Sequence, residues 1–236
     1  MVNTAIILAG GRGTRLKSVL PDIPKPMAPV AGRPFLEWQM DYWIGQGINH
    51  FILSVGYRHE FIQKHFGDAY RTAIIEYVIE SSALGTGGGF LLAMKALQSS
   101  SPFLLLNGDT YFEVNLTELD RFATTQQADW CFSLFSANDS DRYMGMEIDS
   151  VDGKLIAFES GNERIGRLTN GGVYWVNPKQ LTILDFQIGY AYSLENEVFA
   201  QFQKNNQRIY GLEFKGCFID IGVPSDYTRA QTIIIS

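Results

Sequence analysis

Hydrophobic residues in the first half of the chain form short runs that alternate with segments of helical spacing. The runs predict β-strands, most of them buried on both faces, at Ala5–Leu8, Phe51–Val55, Ile74–Ile79, Phe103–Leu106 and Trp130–Phe135. The segments between them predict helices at Phe35–Ile44, Arg58–Phe66, Gly87–Leu97 and Leu116–Thr124. Because strands and helices alternate, we expect right-handed crossovers and a mostly parallel sheet in an α/β fold.

The pattern changes after Ala137, where short apolar stretches are separated by turn residues. These stretches predict a small antiparallel excursion within the same domain, formed by Met144–Ile148, Leu155–Glu159 and Gly172–Val176. Ser193 is suited to cap a helix that continues to Gln203. The remaining predicted elements are strands at Ile209–Phe214 and Phe218–Ile221, and a helix that starts at Pro224 and ends near Ile235.

A glycine-rich turn follows the first strand directly, in Leu8-Ala9-Gly10-Gly11-Arg12-Gly13-Thr14-Arg15-Leu16, and Pro24-Lys25-Pro26-Met27 comes shortly after it. Glycines let backbone N–H groups approach phosphate oxygens closely, and an arginine and a lysine can neutralise the same phosphates. The flanking prolines also limit the directions in which Lys25 can point. The pattern predicts a nucleoside triphosphate site, and a structural turn with incidental cations is the alternative. Leu16 stands where a dinucleotide fingerprint has its third glycine, and no Gly-Lys-Ser/Thr of a P-loop follows.

Two aspartates lie at the ends of later strands. Asp109 belongs to Asn107-Gly108-Asp109, which follows the fourth predicted strand, and Asp220 ends a strand near the C-terminus. Because ligands of open α/β sheets bind outside the carboxyl ends of the strands, we expect the glycine loop and Asp109 at one rim. Mg²⁺ takes one or two carboxylates together with phosphate oxygens, so this pair suits it. Helix-capping or turn roles are the alternative for both aspartates.

The composition of the chain limits which binding partners and which cellular location we expect. With 236 residues and 46% hydrophobic content, the chain is long enough to form a packed domain. Its net charge of −6 argues against a general nucleic-acid binder. The apolar runs are too short for a membrane span or a signal peptide. Cys131 and Cys217 fit a reduced compartment, so we expect a cytoplasmic protein without nucleic-acid or membrane partners.

Together with further motifs in the expected order, the N-terminal pattern resembles the sugar-1-phosphate nucleotidylyltransferases, also called nucleotide-sugar pyrophosphorylases. The further motifs are Leu84-Gly85-Thr86-Gly87-Gly88, Asn107-Gly108-Asp109, Asn170-Gly171-Gly172-Val173-Tyr174, Asp220-Ile221-Gly222 and Asp226-Tyr227. The resemblance implies a Rossmann-like three-layer nucleotidyltransferase fold with a mostly parallel mixed central sheet. It implies a single domain over residues 1–236, in which residues 1–136 mainly bind the nucleotide and residues 137–236 mainly bind the sugar.

The reaction implied by the resemblance transfers a nucleoside monophosphate from an NTP to a sugar 1-phosphate and releases pyrophosphate. Arg15 is then expected to hold the β- and γ-phosphates, Lys25 the α-phosphate or the transition state, and Asp109 completes the catalytic set. Mg²⁺ is expected as the cofactor, held by Asp109 and Asp220. The expected nucleotide-binding residues are Leu8, Ala9, Gly10, Gly11, Arg12, Gly13, Thr14, Glu80, Gly85, Thr86 and Asn107. The expected sugar-binding residues are Gly145, Glu159, Asn170, Gly171, Arg164 and Arg167.

The choice of base is expected to depend on Glu80. In the family, the residue five places before the glycine that corresponds to Gly85 contacts the base edge. A carboxylate only accepts hydrogen bonds, and guanine offers the adjacent donors N1–H and N2–H. Uracil and thymine offer one N–H flanked by acceptors, while adenine and cytosine present an unprotonated ring nitrogen. Glu80 therefore predicts GTP, and a solvated charge at a strand end is the alternative.

The segment Ser18–Phe35 most resembles the bacterial heptose-1-phosphate guanylyltransferase subgroup. This resemblance implies D-glycero-α-D-manno-heptose 1-phosphate as the substrate, for surface-polysaccharide synthesis. One departure lies at Ser160, where relatives commonly have a lysine that contacts the sugar phosphate, and we expect Arg164 or Arg167 to replace it. Another is Met144, which intervenes before the expected glycine, Gly145.

Two alternatives share the same resemblance. One is a UTP-dependent uridylyltransferase that acts on an amino-sugar or hexose 1-phosphate. The other is a non-catalytic, pyrophosphorylase-like regulatory domain that binds a nucleotide sugar; the presence of Arg15, Lys25, Asp109 and Asp220 argues against it, since binding alone does not need all four. Homo-oligomerisation stays open, with the apolar Ile233-Ile234-Ile235 as one candidate contact.

Overall fold

The structure is a computed structural model and describes residues 1–11, 13–16, 19–20, 22–136, 145–159, 168–179, 185–205 and 207–234. For Thr14 and Glu159 it describes the backbone alone. The described helices are α1 (Phe35–Gly45), α2 (His59–Phe66), α3 (Gly85–Ala93), α4 (Leu116–Thr125), α5 (Phe199–Lys204) and α6 (Pro224–Ile233). Short 3₁₀ turns lie at Thr14–Leu16, Lys25–Met27 and Met94–Ala96, and a π turn at Leu194–Val198 leads into α5. Among the described residues, no helix combines the length and the apolar character needed to cross a membrane.

The described strands follow the hydrophobic runs closely. They are β1 (Thr4–Ala9), β2 (Pro29–Val30), β3 (Arg33–Pro34), β4 (His50–Val55), β5 (Ala69–Tyr70), β6 (Ala73–Ile79), β7 (Phe103–Asn107), β8 (Thr110–Phe112), β9 (Trp130–Ser136), β10 (Gly145–Ile148), β11 (Leu155–Glu159), β12 (Leu168–Val176), β13 (Ile209–Glu213) and β14 (Phe218–Asp220). The strands and helices predicted for the first half are therefore confirmed within a few residues. The exception is the predicted helix Gly87–Leu97, which begins two residues earlier and changes to a 3₁₀ turn at Met94.

The main sheet is mixed, with strand order β11-β10-β12-β7-β1-β4-β6-β5 and with β9 and β13 attached through β12. In its first half β1 pairs in parallel with β4 and β7, and β4 pairs in parallel with β6. The antiparallel part enters this sheet directly, because β12 pairs with β7. The predicted antiparallel strands are thus an extension of the central sheet, and β12 begins at Leu168 rather than at Gly172.

Helices cover both faces of the sheet, as the hydrophobic runs require. Ile7 of β1 packs on one face with Leu36 of α1 and Leu119 of α4. Its neighbour Ile6 packs on the other face with Phe90 of α3. Successive strand residues point to opposite faces, so a strand that is buried on both sides has an apolar residue at nearly every position. This gives three layers of secondary structure, as expected.

A small second sheet joins the two aspartates of interest. β8 pairs antiparallel with β14, with Asp220 opposite Thr110 and therefore next to Asp109. The Ile221 N–H donates to the Asp109 carbonyl at 2.9 Å. Behind this sheet, Ile219 packs with Tyr111 and with Ala230 of α6. The sequence did not predict β8, because this short apolar stretch follows Asp109 without a turn signal of its own.

Candidate active site

A cleft of about 600 Å³ opens at the carboxyl ends of the parallel strands. Its walls contain most of the residues expected from the sequence: Leu8, Ala9, Gly10, Gly11, Arg15, Lys25, Glu80, Gly85, Thr86, Asn107, Asp109, Asn170, Gly171 and Asp220. They come from both halves of the chain. The expectation that the glycine loop and Asp109 share one rim is confirmed.

The other predicted site residues lie either outside this wall or outside the part of the chain that the structure describes. Gly13 and Gly145 are described and lie outside the cleft lining. The side chains of Thr14 and Glu159 are not among the described ones. Arg12, Arg164 and Arg167 lie outside the described residues, as does Ser160. Their roles in nucleotide and sugar binding stay predictions.

The glycine loop packs directly against Glu80. A Cβ at position 10 would overlap Glu80 Oε1 and lie 2.8 Å from Glu80 Cδ, so only glycine fits beside the carboxylate as it stands. A Cβ at Gly56 would lie 3.0 Å from the Gly10 carbonyl oxygen, so the loop after β4 also packs closely against Gly10. Beyond the loop, Arg15 is exposed and lines the cleft, while the neighbouring Leu16 is buried and anchors the turn. Backbone donors and a cation thus face the same space.

Glu80 lies just past the end of β6 and is held at both carboxylate oxygens. The Ser54 hydroxyl donates to Oε1 at 3.0 Å, and the Leu84 N–H donates to Oε2 at 3.3 Å. The Glu80 N–H in turn donates to the Val55 carbonyl at 2.7 Å. The side chain is half-buried and forms part of the cleft wall. Its carboxylate is therefore oriented before any ligand is present.

Lys25 lies at the centre of the cleft and forms an ion pair with Asp109. It starts a 3₁₀ turn between Pro24 and the buried Pro26, which restricts the backbone as the sequence predicted. Its side chain is 15% exposed, so the ammonium is largely shielded from solvent. Gly222 leaves room for it, because a Cβ there would lie 3.2 Å from Lys25 Nζ. A shielded cation can stabilise phosphate charge more strongly than one in open water.

Gln39 of α1 holds the turn that carries Asp109 through two hydrogen bonds to its backbone. This side chain is 1% exposed, and its Nε2 donates to the Asn107 carbonyl at 2.8 Å and to the Thr110 carbonyl at 2.7 Å. The two acceptors flank Gly108 and Asp109, so one buried amide positions the whole turn. A Cβ at Gly108 would lie 3.0 Å from the Leu8 carbonyl carbon, which also ties this turn to β1.

Asp109 and Asp220 fit the donor set of a magnesium site. Both line the cleft, at the linked ends of β8 and β14. Asp220 Oδ1 accepts the Gly222 N–H at 2.6 Å, which orients that carboxylate. Among the described residues, no group of three or more His, Cys, Asp or Glu side chains could enclose a metal. A pair of carboxylates matches Mg²⁺ that is completed by phosphate oxygens and water.

Another part of the cleft wall is a bulge in β12. The pairing of β12 with β9 shifts register between Asn170 and Tyr174. Asn170 Oδ1 accepts the Gly172 N–H at 3.0 Å, and Asn170 Nδ2 donates to the Tyr174 hydroxyl at 2.9 Å. Gly172 has a φ of +70°, and a Cβ at Gly171 would lie 2.5 Å from Phe112 Cδ1. The bulge therefore needs both glycines. Burial raises the pKa of the Tyr174 hydroxyl, which keeps it neutral.

The structure adds cleft residues that the sequence analysis did not assign to the site. They are Pro26, Ala83, Gly108, Thr110, Gly172, Glu195, Asn196 and Phe218. Glu195 and Asn196 lie in the π turn, where Ser193 caps the backbone as predicted, although the predicted helix is divided into this turn and α5. Thr86 of α3 is bonded to this turn, because its hydroxyl donates to Glu195 Oε2 at 3.1 Å and accepts the Leu194 N–H at 2.9 Å.

The signal that could have located the π turn is the glycine run inside α3. A Cβ at Gly87 would lie 2.9 Å from Val198, and one at Gly88 would overlap the Tyr190 carbonyl. Glycine is costly inside a helix, so three in succession indicate that another backbone packs closely against it. The sequence alone does not say which segment that is.

Comparison with known proteins agrees with this geometry. The Nucleotidyl transferase family model matches residues 4–236. The chain is 39% identical to the D-glycero-α-D-manno-heptose 1-phosphate guanylyltransferase of Campylobacter jejuni, over 94% of this chain and 96% of that protein. It is 38% identical to the protein of the same name from Aneurinibacillus thermoaerophilus, over 96% of each chain.

A solved structure confirms the expected fold class. The crystal structure of HddC from Yersinia pseudotuberculosis complexed with GMP-PN superposes with a TM-score of 0.82, at 33% identity and over 98% of both chains. With the family match over almost the whole length, the chain belongs to the nucleotidyl transferase family and is a sugar-1-phosphate nucleotidylyltransferase.

Proposed function

We propose that this enzyme transfers a guanylyl group from GTP to D-glycero-α-D-manno-heptose 1-phosphate, releasing pyrophosphate and forming a GDP-heptose for surface-polysaccharide synthesis. The observation that carries the proposal is the Glu80 carboxylate, held at both oxygens in the cleft wall. Two relatives of 38–39% identity bear the name of this activity, and the similar HddC structure contains GMP-PN.

The hydrogen bonds already made by Glu80 favour guanine. A carboxylate has about four lone-pair sites, about two on each oxygen. Ser54 and Leu84 each use one site on a different oxygen, which leaves an acceptor site on each. Two adjacent acceptors match the N1–H and N2–H donors of guanine. Against uracil or thymine, the same carboxylate faces at least one carbonyl oxygen, and like partial charges repel.

The phosphates occupy the space between the glycine loop and Lys25. The backbone at Gly10 and Gly11 lies beside the triphosphate, Arg15 neutralises the β- and γ-phosphates, and Lys25 contacts the α-phosphate. A phosphate oxygen of the sugar 1-phosphate attacks the α-phosphorus in line, and the pyrophosphate leaves with the electron pair of the broken P–O bond. Positioning and charge stabilisation supply most of the catalysis in such a transfer.

Asp109 and Asp220 would hold Mg²⁺. When bound, the ion neutralises charge on the triphosphate and lowers the cost of bringing two anionic substrates together. Lys25 pairs with Asp109 in the structure, so the same lysine can shift its contact toward the α-phosphate when the nucleotide arrives. The ion pair with Asp109 keeps the Lys25 ammonium within the cleft, near the proposed position of the reacting phosphorus.

The sugar 1-phosphate lies on the β12 side. Asn170 and Gly171 line that wall, and the π turn adds Glu195 and Asn196. Glu159, Arg164 and Arg167 stay proposals for contacts to the sugar and its phosphate. In this arrangement residues 1–136 mainly bind the nucleotide and residues 137–236 mainly bind the sugar, within one domain.

The test is pyrophosphate release in the presence of Mg²⁺, with each NTP against the heptose 1-phosphate, mannose 1-phosphate and glucose 1-phosphate. Release with GTP and the heptose alone supports the proposal, and chelation of Mg²⁺ should abolish it. Release with another pair overturns the substrate assignment while the chemistry stands. Glu80→Gln should lose the preference for GTP over UTP, whereas Glu76→Gln, a matched change on β6 away from the cleft lining, should keep it.

A further inference from the structure

Ser54 is a polar residue in an apolar layer. It lies on β4 with its backbone opposite Leu8 of β1 and Val78 of β6, and it is 0% exposed. Its neighbour on the same face, Ile52, belongs to the hydrophobic cluster under α3. A buried hydroxyl costs free energy unless a hydrogen bond compensates it. The partner of this hydroxyl therefore indicates why a serine stands in the strand.

The strongest partner is Glu80. The Ser54 hydroxyl is 3.0 Å from Glu80 Oε1 and 3.3 Å from the Gly89 carbonyl oxygen, and it has one proton to donate. A hydrogen bond to a charged acceptor is the stronger of the two, and here it is also the shorter. A Cβ at Gly89 would lie 2.8 Å from Glu80 Oε1 and 3.1 Å from Ser54 Oγ. The glycine in α3 thus opens the gap through which the two side chains meet.

We propose that Ser54 is a positioning residue for nucleotide selectivity, which holds one oxygen of the Glu80 carboxylate so that guanine is read through both N1–H and N2–H. The inference rests on the proposed guanylyl transfer. Leu84 N–H restrains only the other oxygen, so removal of the serine hydroxyl leaves the carboxylate with one hydrogen bond and widens its rotation about its last bond. A rotating carboxylate still accepts one hydrogen bond from guanine but loses its second, correctly aligned acceptor.

The test compares GTP with ITP, because hypoxanthine keeps N1–H and lacks the 2-amino group. The ratio of kcat/KM for GTP to that for ITP reports the second hydrogen bond. Ser54→Ala should lower this ratio about tenfold, which is the usual worth of a hydrogen bond to a charged group. The loss should come from a higher KM for GTP, with kcat within about twofold, because Ser54 does not touch the reacting atoms.

Ser133→Ala is the matched control. Ser133 is also 0% exposed in a strand of the same sheet, and its hydroxyl donates to the Val173 carbonyl at 2.6 Å. Its removal costs a buried hydrogen bond without touching Glu80. This variant should keep the GTP to ITP ratio of the unchanged protein, and thermal unfolding of both variants shows that each is folded.

A double substitution separates positioning from a general structural effect. If Ser54 acts through Glu80, Ser54→Ala should not change the ratio further in a Glu80→Gln background. An unchanged ratio in Ser54→Ala, or an equal fall in the Glu80→Gln background, overturns the inference. An unchanged protein that prefers GTP to UTP but not to ITP overturns it as well while leaving guanylyl transfer standing. A preference for UTP overturns the proposed function itself.

Discussion

The two sides of the cleft are built by different means. On the side that we propose binds the nucleotide (the nucleotide side), the polar groups follow the ends of parallel strands, and glycines hold their neighbours at contact distance, as Gly10 does beside Glu80. On the side that we propose binds the sugar (the sugar side), part of the wall is a bulge in an antiparallel strand, and Asn170 braces the bulge by hydrogen bonds within its own strand. The nucleotide side thus depends on packing between distant residues, and the bulge of the sugar side depends on local hydrogen bonds.

This difference predicts which substrate each substitution affects. Changes in the parallel part should alter nucleotide binding or the chemical step through a rigid frame. Changes in the bulge should alter sugar binding and leave the nucleotide in place. Lys25 and Asp109, which we propose act in the chemical step, should affect catalysis with both substrates bound.

The largest effect is expected for Lys25→Met, which keeps the length of the side chain and removes its charge. The reacting phosphorus then lacks its shielded cation, so kcat should fall about 10³-fold, as for loss of a main transition-state donor. The measurement is the initial rate of pyrophosphate release at saturating substrates. Lys95→Met, on an exposed 3₁₀ turn, is the control and should keep full activity. A kcat within threefold of the unchanged protein would remove Lys25 from the mechanism.

The next effect is expected for Gly10→Ala. The new methyl group would overlap Glu80 Oε1, so the flexible carboxylate must move away from its two hydrogen-bond donors. The KM for GTP should rise at least about tenfold, as for the loss of a hydrogen bond to a charged group. The melting temperature should change little, because the displaced atom is at the end of a side chain.

Gly45→Ala is the control for that substitution. Gly45 ends α1, and an added Cβ there has no atom within 4 Å apart from its own helix and chain neighbours. Its KM for GTP should equal that of the unchanged protein. If Gly10→Ala also leaves this KM unchanged, the nucleotide side is less rigid than the packing indicates, and the contrast between the two sides fails.

A smaller effect is expected for Gln39→Leu, which removes the two hydrogen bonds that hold the Asp109 turn. Gln46→Leu is a matched change at the C-cap of the same helix, where the side chain donates to the Val114 carbonyl at 2.9 Å and accepts the Leu116 N–H at 2.7 Å. Both variants should lose about 1–3 kcal/mol of unfolding free energy, because buried backbone groups lose their partners. Only Gln39→Leu should also lower kcat, by about tenfold. An equal loss of kcat in both would mean that stability alone explains the effect.

The sequence predicted the frame of the fold and the shared location of the glycine loop and Asp109, for a physical reason. Parallel strands that are buried on both faces produce hydrophobic runs such as Ile6 and Ile7, which are visible without any knowledge of contacts. Because their carboxyl ends meet at one edge, the glycine loop and Asp109 could be placed together, whereas Glu80 was named through the family resemblance.

The rest depends on tertiary contacts that leave weak signals. Gln39 interrupts an apolar helix face with a single amide, and its two acceptors are about 70 positions away in the chain. Glu195 lines the cleft where Gly85, Gly87 and Gly88 let the π turn and the residues just before it approach α3. Ser54 carries one hydroxyl in the apolar stretch from Phe51 to Val55, and its role depends on Glu80, just past the end of β6. The roles of such residues follow from the residues that they contact in the fold, and the sequence alone does not predict those contacts.

The smallest effect is expected on the sugar side, for Asn170→Ala. The substitution removes the acceptor for the Gly172 N–H and the donor to the Tyr174 hydroxyl, so the bulge loses its local bracing. The KM for the sugar 1-phosphate should rise about fivefold, which is the usual worth of one neutral hydrogen bond. The KM for GTP should stay within about twofold. Asn177→Ala, which removes a similar local contact to the Lys179 N–H just after β12, should change neither KM. If Asn170→Ala raises both KM values in parallel, the bulge supports the whole cleft, and the local character of the sugar side is wrong.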